Sequence, residues 1–167
     1  QRITIESTMM VGSSLTAPAR GKVSLGKPLL EIINLDLRST DQFGTSLNKI
    51  SLTLHKNEIL GIGGVAGNGQ DELLAALSGE YICASNSIKL NNIAIGNLSP
   101  NKRRSMGILA APEERLGHAA APDMSLVENT LLTARVRQGL SKNGFINWNK
   151  TNEFAKKIIK QFDVRTP

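Results

Sequence analysis

Cysteine is nearly absent. Cys83 is the only one in 167 residues, so no internal disulfide can form, which agrees with a reducing cytoplasm. The two histidines, His55 and His118, lie far apart and the lone cysteine adds no spacing that suggests zinc; both histidines are read as structural or surface groups. Aromatic residues make up 4% of the chain, too few for the interleaved stacking side chains of a single-strand nucleic-acid binder. No apolar run approaches the ~18 residues of a membrane span. The first residues lack the charged head, apolar stretch and small-residue site of a secretory signal.

Positive charge is present in modest excess. The formal net charge is +6 and the pI about 9.7, which admits nucleic acid, an anionic membrane face or a nucleotide as partner. The basic clusters are small: Lys102, Arg103 and Arg104, then Lys156, Lys157 and Lys160. They read as solvated helix faces rather than a DNA-binding patch. Hydrophobic residues at 40% and charged residues at 20% fit a soluble globular chain long enough for one ordinary core.

Residues 1–28 are Ser-, Gly- and Pro-containing and read as linker or tail, with the folded part beginning at Leu29. "LLEIINLDL" and "ISLTLH" predict two strands, Leu30 to Leu37 and Ile50 to His55. Ile59 to Gly63 is a short apolar run, expected to be a buried strand ending in glycines. From Gly69 the period becomes helical, with Leu73, Leu74 and Leu77 on one face and Gly79 as a left-handed stop. Ser87 to Leu90 is a weak strand; Ser99 and Pro100 open a short helix that ends before Gly107, and Ile108 to Ala110 is a candidate returning strand. "APEERLGHAAAPDMS" is a charged loop. Ser125 and Glu128 make a capping box for a helix carrying Leu131, Leu132 and Val136. A last helix sets Phe154, Ile158 and Phe162 opposite the second lysine cluster.

"GIGGVAGNGQDELLAALSG" has strand, glycine turn and helix in sequence. Gly64, Gly67 and Gly69 fall on the frame of a phosphate-binding loop, where glycine lets the backbone approach an anion and the helix N-terminus favours it. Lysine and hydroxyl are missing from that frame: Gln70 and Asp71 stand there, followed by Glu72. Glutamine brings no positive charge, and carboxylates repel phosphate unless a cation intervenes, so hydrolysis at this loop is not expected. Three readings remain open from the residues: a degenerate nucleotide loop, a dinucleotide fingerprint on Gly61, Gly63 and Ala66, and a turn that binds nothing. Ser78 lacks the turn and base of a nucleophile. Glu113, Glu114 and Arg115 are either a loop salt bridge or functional.

Taken in order and spacing, "LLEIINLDL", "ISLTLHKNEILGIGGVAGNGQDELLAALSG" and "GILAAPEERLGHAAAPDMSLVENTLL" resemble the second nucleotide-binding cassette of bacterial ABC importers for simple sugars and nucleosides. The resemblance covers residues 29–167. It implies an α/β fold, a partial ABC-type P-loop nucleotide-binding domain with an N-terminal antiparallel β section, a partial parallel sheet and the start of the helical subdomain, running from Leu126 to about Phe162. Residues 1–28 would then be the linker after a first cassette, and the signature motif and Walker B strand would lie beyond Pro167.

The resemblance further implies a nucleotide site made of Gly64, Gly67, Asn68, Gly69, Gln70, Asp71 and Glu72, where Gln70 donates a hydrogen bond. Glu113, Glu114 and Arg115 take the Q-loop position that couples the ATP site to the membrane subunits. Phe43 is the candidate adenine contact. ATP and Mg²⁺ are the implied cofactors of the full-length protein; no catalytic residue and no metal ligand is assigned within the chain. The implied partners are inner-membrane permease subunits, the first cassette of the same polypeptide and a periplasmic or lipoprotein solute-binding protein, with no nucleic acid. The expected location is the cytoplasmic face of the cell membrane. The fragment alone is expected to be inactive as an ATPase. Two other classes stand beside this one: a noncatalytic module that docks a permease without nucleotide, and a basic DNA-binding fragment.

Overall fold

A computed structural model of the chain describes residues 24–39, 44–114 and 118–165. Most of the expected 1–28 linker, together with Phe43 and Arg115, lies outside the described residues.

Strands β1 (Pro28–Leu37) and β2 (Leu47–His55) form the expected antiparallel pair. The sheet order is β2-β1-β3-β4, where β3 is Ile88–Leu90 and β4 is Ile93–Ala94. Every pairing in it is antiparallel. The expected parallel section is therefore missing from the described residues. β1 is not regular: Ile32 pairs with Leu52 and Leu35 with Ile50, with a register shift between them. Asn34 at that break has φ 44° and donates its N–H to Ser51 Oγ at 2.9 Å. The extra residue returns Leu35 to the face that buries Ile32, which strict alternation would have turned outward.

That face packs against helix α1 (Gln70–Ser78) through Leu73 and Ala76, with Leu47, Ile88 and Ile95 completing the core. Gly79 ends α1 at φ 90°, as the sequence predicts, with its N–H on the Ala75 carbonyl. Short helix α2 (Pro100–Ser105) follows, with Pro100 in its first turn and Gly107 at φ 98° beyond it.

Two expected strands are not strands. Residues 59–63 and 108–110 pair with nothing among the described residues, and Ile59 is fully exposed, with Ile62 and Leu109 more than half exposed. An apolar run becomes a buried strand only when neighbours saturate both of its edges, and the described sheet ends at β2 and β4.

A second, smaller core joins helix α3 (Leu126–Ala134) to helix α4 (Trp148–Gln161) through Leu131, Ala134, Leu140 and Phe154. The capping box is present: Ser125 Oγ accepts from Glu128 N at 3.3 Å, and Ser125 N donates to the Glu128 carboxylate at 2.8 Å. Leu132 sits about 100° round α3 from buried Leu131 and is exposed, and Val136 lies past the helix end at Ala134 and is exposed as well. On α4, Ala155 is buried and Ile158 half-buried, while Phe162 lies past the helix end and is exposed. Between the helices sits a small hairpin, β5 (Ser141–Lys142) and β6 (Phe145–Ile146), turned by Asn143 and Gly144 at φ 51° and 85°. Both positive angles fit the tight turn that suits twisted strands.

Candidate functional site

The glycine loop runs into α1 as the sequence predicts. Gly67 and Gly69 adopt φ 82° and 99°, a region that β-carbons disfavour. A Cβ at Gly69 would also lie 2.9 Å from Leu47 Cδ2, so glycine there seats the loop against the core. The first intrahelical bond joins Leu73 N to the Gly69 carbonyl at 2.9 Å. The N–H groups of Gly69, Gln70, Asp71 and Glu72 therefore have no acceptor in the helix, and the positive end of its dipole lies there.

Side chains arrange themselves around that opening in different ways. Glu72 turns back and accepts from Thr45 N at 2.8 Å, while Thr45 Oγ1 donates to the Gly67 carbonyl at 2.7 Å. Thr45 thus ties the loop to the start of β2. Asn68 donates Nδ2 to the Val65 carbonyl at 2.9 Å. Gln70 folds inward: its Nε2 donates to the same Val65 carbonyl at 3.0 Å, and its Oε1 accepts from Asn68 N at 3.0 Å. Asp71 faces a cleft of about 350 Å³ that it shares with Glu80, Glu113, Glu114 and His118. The structure so brings Asp71 together with Glu113 and Glu114, residues some forty positions away in sequence. His118 Nε2 lies 3.2 Å from the Glu80 carboxylate, which links the charged loop to the segment just past α1.

The residues suit a phosphate better than they suit a bound metal. Backbone N–H groups at a helix N-terminus recognise an anion without any side chain. Among the described residues, no group of three or more His, Cys, Asp or Glu side chains is placed to hold a metal ion. Asp71 alone would leave Mg²⁺ dependent on phosphate oxygens and water, the usual habit of that ion.

Two residues that hold the site together escape a reading of the sequence. Arg103, in a triplet that reads as a solvated cluster, is fully buried. Its guanidinium donates to the carbonyls of Leu98 at 2.9 Å, Leu77 at 3.0 Å, Gly96 at 2.7 Å and Ala76. The carbonyls of Ala76 and Leu77 belong to the last turn of α1, where helical partners run out, so Arg103 caps the helix that opens at the glycine loop. Burial lowers the Arg103 pKa, and burial raises that of the nearby Cys83 thiol against the opposing effect of Arg103. The second is Asn129. Its Oδ1 accepts from Ala121 N at 2.8 Å and its Nδ2 donates to the carbonyls of Ala121, Met124 and Ser125, clamping the end of the charged loop to α3. An amide one turn into a helix is the only sequence signal for it. The remaining basic residues Lys102, Lys156, Lys157 and Lys160 are exposed. No described helix is long and apolar enough to cross a membrane.

A glycine loop leading into a helix beside a charged loop, on an antiparallel sheet, is the arrangement of a partial α/β nucleotide-binding domain. The chain belongs to the ABC transporter family, whose model matches residues 47–165. It is 33% identical over 158 residues to a nucleoside import ATP-binding protein of Lactococcus lactis, covering 94% of this chain and 31% of that protein. It is 32% identical over 162 residues to a guanosine import ATP-binding protein of Bacillus subtilis, covering 96% and 32%. A ribose import ATP-binding protein of Rhizobium johnstonii is 34% identical over 158 residues, covering 94% and 29%. The chain spans about a third of the length of these relatives.

Proposed function

We propose that the chain is the first half of the second cassette of an ABC importer's ATP-binding protein, and that residues 64–72 hold the phosphates of ATP. The observation that carries this reading is the loop itself: left-handed Gly67 and Gly69 deliver to the opening of α1 a row of N–H groups with no acceptor among the described residues. The phosphate set is Gly64, Gly67, Asn68, Gly69, Gln70, Asp71 and Glu72; Glu72 acts from behind, through Thr45. When bound, ATP with Mg²⁺ supplies the phosphoryl chemistry of transport. The backbone of this chain would bind and orient it, and Asp71, in the first turn of α1, would be a carboxylate available to share the ion. Lacking a lysine, the loop holds phosphate weakly and does not by itself speed hydrolysis.

Glu113, Glu114 and Arg115 form the loop that couples this site to the permease, a role supported by the cleft that Glu113 and Glu114 share with Asp71. Phe43 is the candidate contact for adenine. Residues 1–28 link a first cassette of the same polypeptide to residues 29–167. The transported compound is a nucleoside or simple sugar, as the names of the relatives suggest, delivered by a periplasmic or lipoprotein solute-binding protein. The permease lies in the inner membrane, and the ATP-binding protein works on its cytoplasmic face.

Calorimetric titration with ATP and Mg²⁺ tests the site. A Cβ at Gly67 meets nothing within 4 Å, but φ 82° strains any branched residue. Gly67→Val is therefore expected to distort only the loop and to abolish the binding heat. Equal affinity in the variant and the wild type would favour the rival, a permease-docking module whose loop is an empty turn.

A further inference from the structure

We infer that Gln70 is an internal plug of the glycine loop: its carboxamide takes the Asn68 N–H, a group that would hold a phosphate, and lies across the loop onto the Val65 carbonyl, so that nucleotide enters fully only when this side chain turns out. The inference rests on the nucleotide reading above and adds a gate to it.

The plug is built from three contacts and one space. Gln70 Oε1 accepts the Asn68 N–H at 3.0 Å, as a phosphate oxygen would, and Gln70 Nε2 donates to the Val65 carbonyl at 3.0 Å. Asn68 Nδ2 reaches the same carbonyl at 2.9 Å, which closes the loop into a ring of side-chain and backbone amides. The space is Gly64. A Cβ built there would stand 2.8 Å from Gln70 Nε2, so the absence of a side chain at 64 is what admits the carboxamide. The chemistry of the residue type matters as well. A carboxamide is both donor and acceptor and can close the loop on itself, whereas an ammonium has no acceptor for the Asn68 N–H. Gln70 therefore does more than lack a charge: it competes with the ligand.

A loop open only part of the time shows an affinity reduced by the fraction that is open. Two hydrogen bonds of ordinary net strength keep the closed state populated by roughly fivefold or more over the open one. Removing the carboxamide should then raise affinity, although the side chain looks like a ligand contact.

Titrating the 167-residue chain with MgATP by calorimetry, as wild type and as Gln70→Ala, decides the matter. Binding by Gln70→Ala that is roughly fivefold or more tighter than wild type is the expected result. Binding no tighter than wild type overturns the plug while leaving the nucleotide reading intact; no binding by either protein overturns both. Circular dichroism establishes that the variant is folded. If it is not, Gln70→Ser replaces it, because its side chain is too short to reach both the Asn68 N–H and the Val65 carbonyl, and the same gain is expected. An independent readout is the side-chain amide signal of Gln70 in the wild type. Slow hydrogen exchange that is lost on adding MgATP supports the plug, and free exchange throughout overturns it.

Discussion

Replacing Arg103 by methionine removes a buried cation without leaving a large hole, and the structure sets the size of the effect. Four carbonyl acceptors lose their donor: Ala76, Leu77, Gly96 and Leu98. Two of them close the last turn of α1. The Ala75 carbonyl is already used by Gly79 N and Tyr81 N, so neither of those amides is free to take over. An unsatisfied buried group costs about 1–3 kcal/mol. Relaxation and water recover part of that, and the desolvation penalty of the charge is relieved at the same time. Four such groups, less what relaxation recovers, should leave a net loss of about 3–5 kcal/mol, a large share of the 5–15 kcal/mol that ordinarily stabilises a domain. Urea unfolding followed by circular dichroism should show the midpoint falling by roughly 1.5–2.5 M if the slope is about 2 kcal/mol/M. Arg103→Lys keeps the charge but not the planar fork, and should lie between the two. A methionine variant within 1 kcal/mol of wild type would refute the idea that this guanidinium caps α1.

Other predictions concern the cap of α3 and a crowded glycine. Ser125→Ala should lower stability by about 1 kcal/mol, seen as a lower thermal midpoint. The Ser125 hydroxyl and backbone N–H hold the Glu128 pKa below its ordinary value of 4.5. The ionised box is thus fully stabilising above that value and is lost as the pH falls through the lower folded-state value. Amide protection factors in the first turn of α3, taken relative to the intrinsic exchange rate at each pH, should fall on acidification, and Glu128→Gln, which keeps the box but cannot ionise, should remove that step. Gly96→Ala places a Cβ 2.1 Å from the Ala84 carbonyl oxygen. Backbone there has to move, at about 2–3 kcal/mol, and an unchanged urea midpoint would contradict the packing described.

Features with a local cause were legible. Gly79 as a helix stop and the Ser125–Glu128 box came from residues within a few positions of one another, and each strand of the β1–β2 pair carried its own β-rich run although the partners lie up to 27 positions apart, Pro28 with His55. The glycine loop was legible for the same reason. Features fixed by partners were not. Nothing in "EILGIGG" distinguishes a strand with neighbours from the unpaired, exposed segment that residues 59–63 form. Arg103 looks like Lys102 and Arg104 in sequence, because burial is decided by carbonyls that the fold brings from residues 76, 77, 96 and 98. The bulge at Asn34 shifts the register of β1 without a glycine to announce it. The Asn143-Gly144 turn, by contrast, carries a strong hairpin signal in its own two residues. Gln70 was legible as a missing charge; that it also fills the loop required the geometry.

The clamp made by Asn129 has a mechanical consequence. One side chain holds residues 121, 124 and 125 at four points, so the end of the charged loop and the start of α3 translate as one piece. Short of breaking these hydrogen bonds, a push on that loop is not absorbed by bending next to the helix. It becomes a displacement of α3, which carries Leu131 and Ala134 and, through them, Phe154 of α4. In kinematic terms the loop is the short arm of a lever and the helical pair the long one.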